Sequence, residues 1–299
     1  MRHYCTLFDC NYIDRGLALY RTLERHCGEF RLHVLCLDAP TREALAALGL
    51  ARAELIDIAT LEAEDPDLAR ARRNRGMVEY YFTCKPVLLA HVLRDATVGR
   101  VEYLDSDMAF FSDPAPLERA LAGSSVALSP HRFDAANAHL ERCGRFNAGW
   151  VSVSGGDEGR RFVAWWRALC LEWCRLDVEP TRFGDQKYLD RVPGAFPAAL
   201  AVSHPGVNLG PWNVGGSRIE LTPQGVRVDG QALVFFHFHG TRRMLFNLHE
   251  SGLYNYGVAL TPAMRDGIYR PYLAELATCA KQLDTLPAEV DPLRHELTA

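Results

Sequence analysis

The stretch Tyr103-Leu104-Asp105-Ser106-Asp107-Met108 has the residue types and spacing most suggestive of chemistry. A short apolar run that reads as a strand ends here in Asp-x-Asp. Because extended residues i and i+2 point to one side, Asp105 and Asp107 are expected to face together and to be able to share one divalent cation. In open α/β sheets ligands collect outside the carboxyl ends of strands, which is where this pair falls. The competing reading of an isolated Asp-x-Asp is that it ends a strand and solvates a turn, so its meaning depends on the rest of the chain. Three further segments carry polar groups with catalytic or ligating potential: Phe146-Asn147-Ala148-Gly149-Trp150, Gly184-Asp185-Gln186-Lys187-Tyr188 and Phe235-Phe236-His237-Phe238-His239-Gly240. On a strand running from Phe235 to His239, both histidines would point to one face. A loop from Asn208 to Asn213 adds amides around the indole of Trp212.

Positioning these groups falls to elements that the periodicity makes visible. Over the first hundred residues, β-type runs at His3 to Phe8, Phe30 to Leu37, Glu54 to Ile58 and Val101 to Leu104 alternate with helix-type spacing, the pattern of β-α-β units and a mostly parallel sheet. Ile13, Leu17, Tyr20, Leu23 and Cys27 recur at helical spacing and predict a helix packed on that sheet. Asp113-Pro114 predicts the start of a short helix through Leu121. Lys85 is expected just inside a helix capped by Thr83, where it either meets a phosphate at the helix N-terminus or stands as a solvated surface lysine. After about residue 125 the pattern turns mixed, with a strand at Ala148 to Val153 and a Trp-rich helix from about Gly159 to Arg175. A hairpin is expected around Pro223-Gln224-Gly225, followed by a strand at Leu233 to Phe238. The fold class is therefore α/β with a Rossmann-like, mostly parallel sheet and an appended α+β half, read as one continuous domain over 1–299 with no linker between its halves.

Composition narrows the partners. With 33 Lys+Arg against 37 Asp+Glu, a net charge of −4 and no basic cluster, nucleic acid is not an expected ligand. Apolar runs such as Ala109 to Phe111 and Ala232 to Phe236 fall far short of the roughly 20 residues of a membrane-spanning helix, and no signal-peptide pattern is visible. Peripheral membrane contact and oligomeric state stay open. Nine cysteines scattered without a C-x-x-C pair suit reduced thiols and a cytoplasmic location, Cys170 and Cys174 serving as small buried hydrophobes. Trp150, Trp165, Trp166 and Trp173 are expected in the core.

Taken in order, the N-terminal strand ending in Phe8-Asp9-Cys10-Asn11-Tyr12, the Tyr-Leu-Asp-x-Asp motif, Phe-Asn-x-Gly, Asp-Gln and His237-x-x-Gly240 resemble the GT-A glycosyltransferases over residues 3–243. The retaining, metal-dependent family 8 is the most similar. The resemblance implies a GT-A fold with a nucleotide-binding half to about residue 125 and an acceptor-side, metal-completing half beyond it. It implies a UDP-sugar donor and a carbohydrate-type acceptor hydroxyl. Asp105, Asp107 and His237 would be the metal ligands, His237 being preferred to His239 because only it keeps the spacing to Gly240. Arg243 would take the place of a lysine that meets the diphosphate, with the same charge and a different shape. Phe8, Asp9 and Tyr12 would form the uracil pocket, with Lys85 and Ser106 near the phosphates. Packing of Tyr12 over the first helix is the alternative for that residue. Asp185 and Gln186 would stand at the anomeric carbon, stabilising positive charge or acting as transient nucleophile, although Asp185 after Gly184 also fits the cap of a short helix through Leu189. Asn147, Asn208 and Trp212 have the composition for sugar hydroxyls and ring faces on the acceptor side. An imidazole ligand favours Mn²⁺ over Mg²⁺.

Three other readings are weaker or open. A haloacid-dehalogenase-type phosphatase needs Thr or Val where Ala109 stands. A sugar-1-phosphate nucleotidyltransferase needs a glycine-rich basic loop after the first strand, and Asp9 to Arg15 has neither the glycines nor a lysine. A catalytically silent sugar-nucleotide or glycan-binding protein would be separated from an enzyme by turnover of the donor.

Overall fold

The computed structural model describes residues 1–244, 249–287 and 290. Strands β1 (Arg2–Phe8), β2 (Phe30–Cys36) and β3 (Ala53–Asp57) alternate with helices α1 (Ile13–His26) and α2 (Ala39–Leu48). The apolar residues of α1 face the sheet, and Asp38 caps α2 by accepting from the Thr41 amide at 2.8 Å. Two short helices, α3 (Ile58–Glu64) and α4 (Pro66–Ala71), precede the long helix α5 (Met77–Val92). Then come β4 (Arg100–Leu104), β5 (Met108–Phe110), α6 (Ala115–Leu121), β6 (Val126–Pro130), β7 (Phe146–Ser154), α7 (Asp157–Glu172) and β8 (Ala199–Ala201).

The central sheet has the order β3-β2-β1-β4-β7-β6-β8. The first four strands are mutually parallel, and β7 runs antiparallel to both β4 and β6. Period-two alternation divides its residues between two cores. Tyr4, Phe8, Leu104 and Trp150 join α1 and the C-terminal helix Arg270–Leu283 on one face, while Cys5, Leu7, Tyr103 and Val151 join α5 and α7 on the other. Trp150 and Trp166 are fully buried; Trp165 and Trp173 pack partly buried against the second core, beside the buried Cys170 and Cys174. The appended half contains the antiparallel strands β9 (Ile219–Thr222), β10 (Gly225–Val228) and β11 (Gln231–Ala232), so the hairpin lies where Pro223-Gln224 places it.

The stretch read as a strand at Leu233 to Phe238 is shorter in the structure: β12 spans Phe235–His237 and pairs antiparallel with β5 through Phe235↔Phe110, Phe236↔Ala109 and His237↔Met108. This small sheet carries the C-terminal histidine back to the end of β4.

Candidate active site

The chain leaves β4 at Leu104 and turns at once, the Met108 amide donating to the Asp105 carbonyl at 3.2 Å. Asp105 and Asp107 therefore converge through a β-turn. They do not follow the extended i, i+2 geometry expected from sequence, because the return strand β5 begins at Met108. Pairing of β5 with β12 brings in His237, whose Nε2 lies 3.1 Å from Asp107 Oδ1 and 3.8 Å from Asp105 Oδ2. His239 lies beyond the strand end, and Asp107, His237 and His239 offer ligand atoms within 4.8 Å of one another. The indole edge of Trp212 meets the His237 ring at 5.1 Å between centroids and the His239 ring at 6.1 Å. Gly149 on β7 makes room: a Cβ there would stand 2.6 Å from His237 Cε1 and 2.7 Å from Asp105 Oδ2.

On the α5 side, Lys85 is 4% exposed, with Nζ 3.0 Å from Asp105 Oδ1 and 3.4 Å from Asp185 Oδ2. The Tyr103 hydroxyl donates to Asp105 Oδ1 at 2.8 Å. One ammonium is thus shared by two carboxylates. Burial opposes its charge, but the two partners outweigh burial and raise its pKa. Asp185 receives only a share of that ammonium and is itself buried. Burial pushes its carboxyl up to about 6 against the pull of Lys85, with Asp105 adding to the rise. At Asp107 burial is likewise the largest influence and favours the neutral acid, yet the imidazole of His237 reverses it and holds the carboxylate well below its usual range. Burial alone would lower His237, but Asp107 and Asp105 raise it.

These groups line one cavity of about 670 Å³, whose lining also includes Phe8, Asp9, Tyr12, Leu37 and Tyr81 and, from later in the chain, His131, Phe133, Leu140 and Tyr256. A smaller groove of about 400 Å³ between α5 and α7 is lined by Arg160 and Arg167, whose guanidiniums are spent on the Leu93 carbonyl and on Asp65.

Two Bacillus subtilis (strain 168) proteins described as uncharacterized are similar to the chain. YfnF is 32% identical over 263 residues, covering 83% of this chain and 86% of its own, and YfnD is 31% identical over 280 residues, covering 92% and 88%. The chain belongs to the family of YfnF and YfnD. No protein-family model matches it. Among solved structures, the galactosyltransferase LgtC in complex with donor and acceptor sugar analogs aligns over 96% of this chain and 98% of its own, with TM-score 0.56 and 18% identity. Mouse xyloside xylosyltransferase 1 aligns over 80% of this chain and 98% of its own, with TM-score 0.50 and 13% identity. The fold is GT-A, as the motif order implies.

Within this family member, the cavity gathers Asp105, Ser106, Asp107, Asp185, Gln186, His237, Lys85, Asn147, Trp212, Phe8, Asp9 and Tyr12. Several stand differently from their expected setting. Lys85 is neither at a helix N-terminus nor on the surface: α5 starts eight residues earlier, at Met77, where Glu79 accepts from the Gly76 amide at 2.8 Å. Thr83 is an interior residue whose hydroxyl donates to the Glu79 carbonyl. Asp185 caps nothing. A 3₁₀ turn begins at Lys187 with Gln186 in the cap position and no side-chain bond, and the Asp185 carboxylate turns inward to Lys85. Gln186 is pinned at both ends of its amide, accepting from Ala148 N and donating to Cys143 O, each at 3.2 Å. Tyr12 is 45% exposed, lines the cavity and has the guanidinium of Arg15, from the first turn of α1, over its ring, so its contact with the first helix and its place in the cavity coexist. Asp9 is oriented by the Tyr81 hydroxyl at 3.0 Å and the Asn11 amide at 3.1 Å.

Asn208 stands behind the cavity wall. It is 1% exposed, with φ +50°, and donates to Asn147 Oδ1 at 3.0 Å, an atom that also accepts from the Gly149 amide. Arg243 pairs its backbone with His249, and the phosphate contact expected of its side chain lies outside the described residues. His131, whose setting after Ser129-Pro130 fits a surface loop as well as a donor or acceptor contact, lines the cavity with its Nε2 3.2 Å from the Asn147 amide nitrogen, stacked on Phe133 and held neutral by burial, which lowers its pKa to about 3. Gly149 was visible only as part of Phe-Asn-x-Gly.

Proposed function

We propose that the chain is a metal-dependent glycosyltransferase that moves a sugar from a UDP-sugar to an acceptor hydroxyl with retention at the anomeric carbon. The observation that carries this reading is the meeting of Asp105, Asp107 and His237 with the Lys85–Asp185 ion pair in one cavity at the carboxyl end of β4. LgtC supports it as a galactosyltransferase of the same fold seen with donor and acceptor analogs.

The donor set fits a divalent cation. Asp107, His237 and His239 offer ligand atoms within 4.8 Å of one another, Asp105 approaches the His237 imidazole at 3.8 Å, and oxygen with nitrogen ligands suits Mn²⁺ ahead of Mg²⁺. A cation held by Asp105, Asp107 and His237 would neutralise negative charge gathering on the diphosphate leaving group. The remaining work falls to the chain's own groups. Phe8, Asp9 and Tyr12 form the base end, with Asp9 already aimed by Tyr81 and Asn11. Lys85 keeps Asp105 and Asp185 from repelling one another when both are ionised. Asp185 Oδ2 is buried without a hydrogen bond, its contact with Lys85 lying outside hydrogen-bond geometry. A carboxylate so placed favours positive charge in an oxocarbenium-like transition state. Gln186, fixed by two backbone bonds, keeps a lone pair on its amide oxygen for the same charge; an LgtC structure described as an active-site mutant carries a glutamine-to-glutamate change, which supports that role. Asn147 and Trp212 provide the acceptor wall.

The test is a melting experiment with UDP. UDP is expected to raise the melting temperature only with Mn²⁺ or Mg²⁺ present, and not in Asp105→Asn protein. Equal stabilisation in excess EDTA overturns the metal assignment. Asp185→Asn and Gln186→Ala are expected to lower donor turnover by more than about tenfold with little change in UDP affinity. An inverted product anomer refutes retention.

A further inference from the structure

Three exposed apolar side chains stand together at the mouth of the cavity. Met77 is 57% exposed, Val78 50% and Leu176 48%, and all three line the same cavity as the reaction-centre groups. Large apolar groups exposed singly are ordinary, but a cluster at a binding mouth marks a contact surface.

The surrounding polar groups hold this cluster in place instead of competing for a ligand. Glu79 accepts from the Gly76 amide with one carboxylate oxygen and from the Leu176 amide with the other, at 2.8 and 3.0 Å, tying the start of α5 to the loop after α7. Arg75 donates to Thr83 Oγ1 and to the carbonyls of Cys170 and Leu171, and Arg175 donates to the Asn74 carbonyl at 2.8 Å. The lip is therefore pre-formed, and what it offers outward is apolar.

Its position relative to the chemistry follows from helix geometry. Residues on α5 descend into the cavity on successive turns: Val78, then Phe82, then Lys85 at the carboxylates. At about 1.5 Å per residue, Val78 stands about 10 Å up the helix from Lys85. Phe82 bridges the two levels, its ring 5.0 Å from Lys85 Nζ and in contact range of Gly184. Phe183, two residues before Asp185, lines the same cavity and adds a further apolar side chain between the Asp185 segment and the lip residues of its lining.

We propose that the acceptor carries an apolar aglycone, and that Met77, Val78 and Leu176 bind it while its hydroxyl reaches the Lys85–Asp185 centre. This rests on the glycosyl-transfer reading and selects one acceptor class within it: an amphiphilic glycoside or lipid-linked glycan in place of a free sugar.

The experiment uses methyl, hexyl and octyl hexosides below their micelle concentrations, titrated into the whole protein with UDP and Mn²⁺ and, once a donor is found, assayed for KM. Each methylene buried completely is worth up to about fourfold, and the lip covers a chain on one side only, so the octyl glycoside is expected to bind about tenfold more tightly than the methyl glycoside. In a Met77→Ser, Val78→Ser, Leu176→Ser variant the gradient is expected to vanish, while donor hydrolysis and UDP affinity remain those of the parent. A flat gradient in the parent, or one that survives in the variant, overturns the proposal. So does a loss of UDP affinity in the variant, which would place the lip on the donor. Binding of the parent to phosphatidylcholine vesicles without any chain-length gradient would assign the lip to a bilayer, and also overturns it. If no UDP binding is found at all, the glycosyl-transfer reading fails first.

Discussion

Glu102 lies on β4 on the sheet face opposite Lys85, 7% exposed, accepting from the indole nitrogen of Trp150 at 2.7 Å. Burial pushes its carboxyl up from 4.5 to about 7; the Trp150 hydrogen bond and the Arg100 guanidinium pull the other way and do not restore it. An acid whose folded pKa is raised contributes stability that is present below the unfolded pKa and lost as pH rises through the folded value, because the native state holds the proton longer. Between pH 4.5 and 7 this single group therefore removes about 3 kcal/mol of folding free energy, at about 1.4 kcal/mol per pH step. Glu102→Gln keeps an oxygen for the Trp150 N–H and removes the ionisation. Urea unfolding of both proteins from pH 5 to 8 is the assay, read as the variant-minus-parent difference, in which other titrations cancel. The difference should rise by about 2–3 kcal/mol in favour of the variant across that range, whatever its level at pH 5, which also includes the cost of seating the new amide. A difference that is flat with pH refutes the buried-ionisation reasoning.

Gly149→Ala places a methyl into contact with His237, Asp105 and Asn147 at 2.6–2.7 Å. It is expected to destabilise the fold by about 1–3 kcal/mol and to abolish the Mn²⁺-dependent stabilisation by UDP in the melting assay. Retention of that stabilisation would show that the ligand set does not need its present spacing. His237→Ala is expected to lose most Mn²⁺ affinity in calorimetry with UDP present, because His237 is buried between both aspartates; the exposed His239 is expected to cost less on substitution. The reverse order would move the imidazole ligand to His239.

Local patterns made much of the fold legible. Tyr4, Cys5, Leu7 and Phe8 alternate between two cores because strand side chains alternate, and Ile13 to Leu23 line one face of α1 because a helix repeats every 3.6 residues. These periods are written in consecutive residues, so the β-α-β beginning, the hairpin at Pro223-Gln224 and the motif order could be read without coordinates. So could polar cavity residues such as Asp105, Asp107, Asp185, Gln186 and His237, whereas the apolar lining at Met77, Val78, Phe82, Phe133, Leu140 and Leu176 carries no motif that marks it.

What tertiary structure alone decided is how residues distant in sequence meet. His237 reaches the Asp-x-Asp turn because β12 pairs with β5, a register that no local pattern specifies. Thr83-Cys84-Lys85-Pro86 resembles a helix start, yet α5 begins at Met77, since the Glu79 carboxylate satisfies the amides of Gly76 and Leu176 and packing carries the helix through the proline. That shift turns Lys85 from a surface cation into the buried partner of Asp105 and Asp185. Asn208 and Asn147 look alike in sequence, and only the fold puts one behind the other, with His131 completing the wall. The sequence determined which chemical groups were available and which local elements carry them; long-range pairing and burial decided which of them touch, because those energies depend on neighbours far along the chain.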